Sequence, residues 1–174
     1  WNVIRLDAGD SLVGAKQVTG DEGQVVLITD DAQLLRFNFS ALRAAGRPAG
    51  GVAGIKVSKD ANVIFGDVIS ESGELFVGTV AGSSEMLPGT AAHTMKVTPL
   101  SEFPAKGRAT GGVRCHKFLS GEDHLVVATA GANPIHACTS TGGAVELPTK
   151  IGKRDGTGSP VTKPVVALAA HPMG

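Results

Sequence analysis

Tyrosine is absent from the 174 residues, and one Trp with six Phe brings the aromatic share to only 4%. Any mechanism that runs through a tyrosine nucleophile or acid is therefore excluded from this chain. Net charge is missing too, since 16 Lys and Arg balance 16 Asp and Glu. That excludes a wholly basic nucleic-acid tail or an acidic solvating tail, and leaves local patches open. No apolar run approaches the roughly 18–20 residues of a membrane span, so no membrane partner is expected. Residues 1–10 lack the apolar stretch of a signal peptide. Cysteine is scarce: Cys115 and Cys138 make no disulfide framework, which points to a reducing, cytoplasmic setting.

What the chain has in excess is glycine. Its 24 Gly are about twice the usual share, accompanied by 9 Pro and many Val. Glycine and proline break helices, and valine suits a pleated, half-buried surface. With 42% apolar residues the chain is too hydrophobic for disorder. The expectation is an all-β fold of short strands joined by tight turns.

Self-similarity orders those strands. Three segments share an opening: Val3-Ile4-Arg5-Leu6 leading to Leu12-Val13-Gly14, Gly54-Ile55-Lys56-Val57 leading to Val63-Ile64-Phe65-Gly66, and Cys115-His116-Lys117-Phe118 leading to Leu125-Val126-Val127. Each reads as strand, turn, strand, with a basic residue in one slot (Arg5, Lys56, Lys117). Three segments share an ending: Gly46-Arg47-Pro48-Ala49-Gly50-Gly51-Val52, Gly107-Arg108-Ala109-Thr110-Gly111-Gly112-Val113, and Gly152-Lys153-Arg154-Asp155-Gly156-Thr157-Gly158. Arg47 and Arg108 lie 61 apart, and Arg108 and Lys153 lie 45 apart. The longer interval holds a Gly/Ser/Thr-rich hairpin insertion at 82–93.

The repeats are therefore placed at about 3–53, 54–112 and 113–160, with 161–170 a lone closing strand that would open an unfinished fourth unit. Within the first, 25–28 and 34–37 flank the turn residues 29–33 as a hairpin. Four strands recurring about every 50 residues is the pattern of propeller-like blades. Residues 39–46 dissent, with Ser40 as an N-cap candidate and Gly46 as a stop for a turn of helix.

These residues carry a resemblance. The run from Lys96 through Thr98-Pro99-Leu100-Ser101-Glu102-Phe103-Pro104 to Gly107-Arg108-Ala109-Thr110-Gly111-Gly112-Val113 resembles the repeat of the C-terminal domain of bacterial type IIA topoisomerase A subunits, those of DNA gyrase and of topoisomerase IV (ParC). Residues 25–57 resemble the preceding repeat, so the likeness covers nearly the whole chain. It implies a β-pinwheel, a disc of four-stranded blades whose rim binds and bends duplex DNA, with about three of the family's five or six blades here. The family's glutamine-and-arginine box has no match, which favours topoisomerase IV-like behaviour over full gyrase wrapping. In the strand slot where the family carries Arg or Lys, this chain has Arg36, Lys96 and, departing from the pattern, Glu146.

The resemblance implies a non-catalytic domain with no cofactor of its own. Its partners would be duplex DNA, the remainder of the A subunit, and an ATPase B subunit, in the cytoplasm at the nucleoid. The DNA-binding candidates are Arg36, Arg43, Arg47, Lys96, Lys106, Arg108, Lys153 and Arg154. Each cation that neutralises a phosphate adds a salt-dependent, sequence-independent increment. Glycine in the same loop lets backbone N–H groups approach phosphate oxygens. The bland alternative is that these are solvated turn charges.

Cys115-His116 and His136-Ala137-Cys138 suggest zinc at first sight. On a strand, 136 and 138 share a face whereas 115 and 116 oppose each other, and no Cys-x-x-Cys spacing is present, so no metal is expected. No Walker A sequence or Gly-x-Ser-x-Gly elbow appears, and Asp155-Gly156-Thr157-Gly158 lacks the contiguous Asp-Thr-Gly of aspartic proteases. Rival readings are a propeller-type protein-interaction module, which steep salt dependence of DNA binding would exclude, and a propeller-like hydrolase, which would need a cleft with paired perturbed carboxylates or a metal.

Overall fold

The computed structural model describes residues 4–46, 50–70, 72–85 and 94–171. Ten strands follow one another: β1 (Gln24–Thr29), β2 (Gln33–Asn38), β3 (Val63–Ile69), β4 (Leu75–Gly82), β5 (Thr94–Pro99), β6 (Val113–Arg114), β7 (His124–Cys138), β8 (Ala144–Val145), β9 (Ser159–Pro160) and β10 (Ala167–His171). One sheet has the order β3-β1-β2-β6, and the other β10-β7-β4-β5-β9 with β8 also on β7. The fold is all-β, as expected, and the only helical pieces among the described residues are two 3-10 turns, Phe39–Ala41 and Leu100–Glu102.

Register shows that the sheets are copies. In the first, Gln24 faces Asn38 on β2 and Ile69 on β3; in the second, Phe76 faces Pro99 on β5 and Gly131 on β7. Even the bulge recurs, between Ile28 and Thr29 in one and between Val80 and Ala81 in the other. The fourth strands match as well: Leu34 pairs with Val113, and Met95 with Ser159. Blade one is thus β1, β2, β3 and β6. Blade two is β4, β5, the first part of β7, and β9.

Strand β7 is long because it serves two blades. Past the 124–132 stretch it opens a third, smaller unit, pairing at Ala137 and Cys138 with Val145 and Ala144 of β8 and with Leu168 and Ala167 of β10. The turn confirms the match. Gln33 N–H donates to Thr29 Oγ1 at 3.1 Å, and Gly143 N–H donates to Thr139 Oγ1 at 3.1 Å. Ala32 and Gly142 both take a positive φ there, 61° and 80°. Within segment 161–170 the strand begins at Ala167, and β10 pairs as a single outer strand on the β7 part of the third unit.

Alternate residues of a strand point to opposite faces, and β1 uses both. Val26 and Ile28 join Val77, Ala81, Leu100, Phe103 and Leu125 in a core between the first two blades, while Val25 packs with Leu35 and Phe37 on the other side. Val80, Met95, Val97, Ile135, Val145 and Val165 form the core between the second blade and the third unit.

Three expectations are corrected. Residues 4–22 contain no strand, and neither do 54–57 or 115–118; the main chains of the latter two bond to loops and turns and not to a strand ladder. The turn of helix expected over 39–46 is present as a 3-10 turn, Phe39–Ala41, but its caps differ: Ser40 lies inside it, Asn38 is at the N-cap without a side-chain cap bond, and Leu42 rather than Gly46 ends it. The third is Lys96 as a DNA-contacting strand residue, whose side chain instead turns into the blade and is 2% exposed. The 82–93 insertion does join the β4–β5 hairpin, although 86–93 lie outside the described residues.

Candidate nucleic-acid interface

Each blade leads into β6 or β9 through one glycine-rich basic loop, 106–112 or 152–158. The loops start alike: Lys106 N–H donates to Arg36 O at 2.9 Å, and Gly152 N–H donates to Val97 O at 2.8 Å. Since Arg36 and Val97 are equivalent, Lys106 matches Gly152 and Arg108 matches Arg154, an offset of 46 where the sequence spacing had paired Arg108 with Lys153. The loops also end alike. A Cβ on Gly112 would meet Leu34 O at 2.8 Å, and one on Gly158 would meet Thr94 Cβ at 2.8 Å and Met95 N at 2.9 Å. Backbone passes over backbone there, and only glycine fits without displacement.

The shared opening segments pack onto these loops. Lys56 N–H donates to Thr110 O at 3.0 Å, and Lys117 N–H donates to Gly156 O at 3.0 Å. Exposed Lys56 therefore stands at the loop of exposed Lys106 and Arg108, and exposed Lys117 at the loop of exposed Lys153 and half-exposed Arg154. Lys56 and Lys117 were not among the sequence candidates, yet their recurrence in one repeat slot was the signal for them. A cluster of cations on glycine-rich main chain can bind phosphate oxygens through both charge and N–H groups.

The first loop is tied down by its own side chains. Lys106 Nζ donates to Gly111 O at 2.7 Å, Arg108 Nη1 to Ala53 O at 2.6 Å and Thr110 Oγ1 to Gly107 O at 2.6 Å. The second is held from within by buried Lys96. Its ammonium donates to the carbonyls of Lys153, Arg154 and Gly156 at 3.0, 2.8 and 2.9 Å. Lys96 faces Thr79 of β4, as Leu35 faces Leu27 of β1, so Lys96 is the counterpart of Leu35 and not of Arg36. The expectation that Lys96 contacts DNA is thereby corrected: both faces of β5 are covered, Met95 and Val97 by the apolar core and Lys96 by the loop at Gly152, whose neighbouring carbonyls take its ammonium.

Burial lowers the Lys96 ammonium to about 8, against the raising influence of Asp155. Beside it, burial pushes the Cys115 thiol up to about 12. Burial, with a smaller contribution from the Lys96 charge, lowers His116 to about 4. His116 lies between two hydroxyls, Thr79 Oγ1 at 2.9 Å from Nδ1 and Thr94 Oγ1 at 3.3 Å from Nε2. Both cysteines are free, and among the described residues no three His, Cys, Asp or Glu side chains converge as a metal site.

The other candidates are dispersed. Arg36 is half-buried on β2, its Nε buried without a hydrogen-bond partner among the described residues. It lines a cleft of about 400 Å³ with Gln24, Glu74 and Phe76 between the first two blades. Arg43 is exposed and joined to neither loop. Arg47 lies outside the described residues. Glu146 follows Val145 on β8 and, by the register of that hairpin, occupies the Arg36 slot of the third unit.

Among known proteins, the family described as DNA gyrase C-terminal domain, beta-propeller, matches residues 23–70 and 94–130. The DNA gyrase A subunit of Salmonella typhimurium is 36% identical over 110 residues, 63% of this chain and 11% of that protein. The DNA gyrase A subunit of Kosmotoga olearia is 28% identical over 149 residues, 83% of this chain and 17% of that one. The chain thus spans about a tenth to a sixth of these relatives. The crystal structure of the C-terminal domain of DNA topoisomerase IV superposes with a TM-score of 0.76 at 19% identity, covering 95% of this chain and 51% of that one.

Proposed function

Because the chain belongs to the family of C-terminal β-propeller domains of DNA gyrase, we propose that it is a non-catalytic DNA-binding and DNA-bending domain of a gyrase or topoisomerase IV A subunit that presents duplex DNA for ATP-dependent strand passage. The observation that supports this is the recurrence of the basic loops. Lys56 and Arg108 at one loop, and Lys117 and Arg154 at the next, occupy places related by a common register, with Lys106 and Lys153 one position out of step beside them. A curved surface that repeats one cationic step suits the evenly charged DNA backbone, and phosphate contacts position a duplex without reading its bases. Zero formal charge means that binding depends on these patches and not on the protein's overall field.

In this reading the remainder of the A subunit supplies the cleavage tyrosine, since this chain has none, and a B subunit supplies ATP hydrolysis. The protein works in the cytoplasm at the nucleoid. The test is fluorescence anisotropy of labelled linear duplex across a salt series. Reversing Arg108 and Arg154 together (R108E/R154E) is expected to weaken binding on every sequence. It should also flatten the slope of log affinity against log salt by about 0.9 for each phosphate no longer neutralised. Reversing exposed Glu22 and Glu74 should not weaken binding. Parent-like binding by R108E/R154E at every salt concentration would overturn the assignment of the loops to DNA.

A further inference from the structure

We propose that Lys96 is the positioning residue of the second basic loop, fixing its main chain from inside the blade so that Lys153 and Arg154 are presented to phosphates. The proposal deepens the DNA-binding reading and rests on it for the nature of the ligand.

Three observations meet at this lysine. An ammonium has three N–H donors and no acceptor, and all three find carbonyls of one short stretch, Lys153, Arg154 and Gly156. The loop lies directly on the lysine stem, since a Cβ on Gly152 would come within 2.5 Å of Lys96 Cγ and 2.6 Å of Cδ. Finally, the first blade has Leu35 at this place, fully buried, and there Lys106 turns back to Gly111 O of its own loop and Arg108 is engaged by Ala53 O. Among the described residues, the Lys153 and Arg154 side chains make no hydrogen bond or ion pair. One buried cation holds the second loop, and the outer two remain available.

The test replaces the ammonium with a chain of similar length, Lys96→Met, and reads the loop by limited trypsin digestion with mass spectrometry. Cleavage after Lys153 and Arg154 should accelerate several-fold, while cleavage after Lys106 and Arg108 stays at the parent rate. DNA affinity should fall several-fold in K96M, yet K96M should have no further effect in a K153Q/R154Q background. Parent-like cleavage at 153 and 154 would overturn the proposal. An equal affinity loss in both backgrounds would also overturn it, because Lys96 would then act other than through the loop. Local acceleration of cleavage with parent-like DNA binding by K153Q/R154Q itself would keep the anchorage and reject the DNA reading of this loop.

Should K96M fail to fold, the unmodified protein carries the test. The groups facing Lys96 are Asp155, Cys115 and His116. Neither the thiol, pushed up to about 12, nor the imidazole, lowered to about 4, titrates between pH 7 and 9.5. The carbonyl carbon-13 shifts of Lys153, Arg154 and Gly156 should move together with a midpoint near 8. The anchorage is rejected if, on raising the pH until the ammonium is lost, these three carbonyls move at different pH values or not at all.

Discussion

Leu35 and Lys96 hold the same position in successive blades, the first 0% exposed in an apolar cluster and the second 2% exposed with its charge on three carbonyls. A long polar side chain is tolerated there only where the loop above supplies acceptors. Around Leu35 the neighbours are Val25 and Phe37, and of the corresponding loop carbonyls that of Gly107 already accepts from Thr110 Oγ1 and that of Thr110 from Lys56 N–H. Leu35→Lys should therefore destabilise the protein by about 4 kcal/mol, the equivalent of a roughly three-unit pKa depression on burying an unpaired lysine. Urea unfolding measures this, and a loss below about 1 kcal/mol would show that the first blade accommodates the cation as the second does.

The glycine crossings give a sharper local test. Gly112→Ala and Gly158→Ala each push a methyl into backbone or a β-carbon at 2.8–2.9 Å. Each should cost about 1–3 kcal/mol, as overpacking does. Gly111→Ala, with nothing within 4 Å of its Cβ position, should be close to neutral. Equal urea midpoints for all three variants would mean that the crossings relax freely.

His116 makes stability depend on acid. Its folded value, about 4, lies below the ordinary 6.5, so the fold favours neutral imidazole. The resulting stability is fully present above pH 6.5 and is lost as the pH falls through 4, up to about 3 kcal/mol in all. His116→Gln should remove that part of the slope between pH 6.5 and 4. Parallel curves for parent and variant in chemical denaturation at several pH values would contradict the assignment.

The two thiols should react unequally. Cys115 is 1% exposed and its thiol is pushed up to about 12, whereas Cys138 is partly exposed. A thiolate is the nucleophile, so a thiol reagent at pH 8 should modify Cys138 first and reach Cys115 only on unfolding. Rapid labelling of both in the native protein would refute this.

Composition alone determined the class: glycine, proline and valine in excess leave little besides short strands and turns. The repeated openings and endings marked which residues are equivalent from blade to blade, Lys56 with Lys117 among them, because each copy must close the same turn over the same kind of sheet. Tertiary structure decided how the copies are cut. A linear repeat cannot show that β6 and β9, which follow the basic loops, return to earlier blades, or that β7 belongs to two; those pairings join residues distant in the chain. It also decided which cations face out. Lys96 and Arg36 look alike as charges in neighbouring slots, but the side-chain period along a strand is two residues, so a shift of one sends the first into the blade and leaves the second on its flank. The insertion of 82–93 and the unequal loop spacings hid that shift until backbone hydrogen bonds supplied the register.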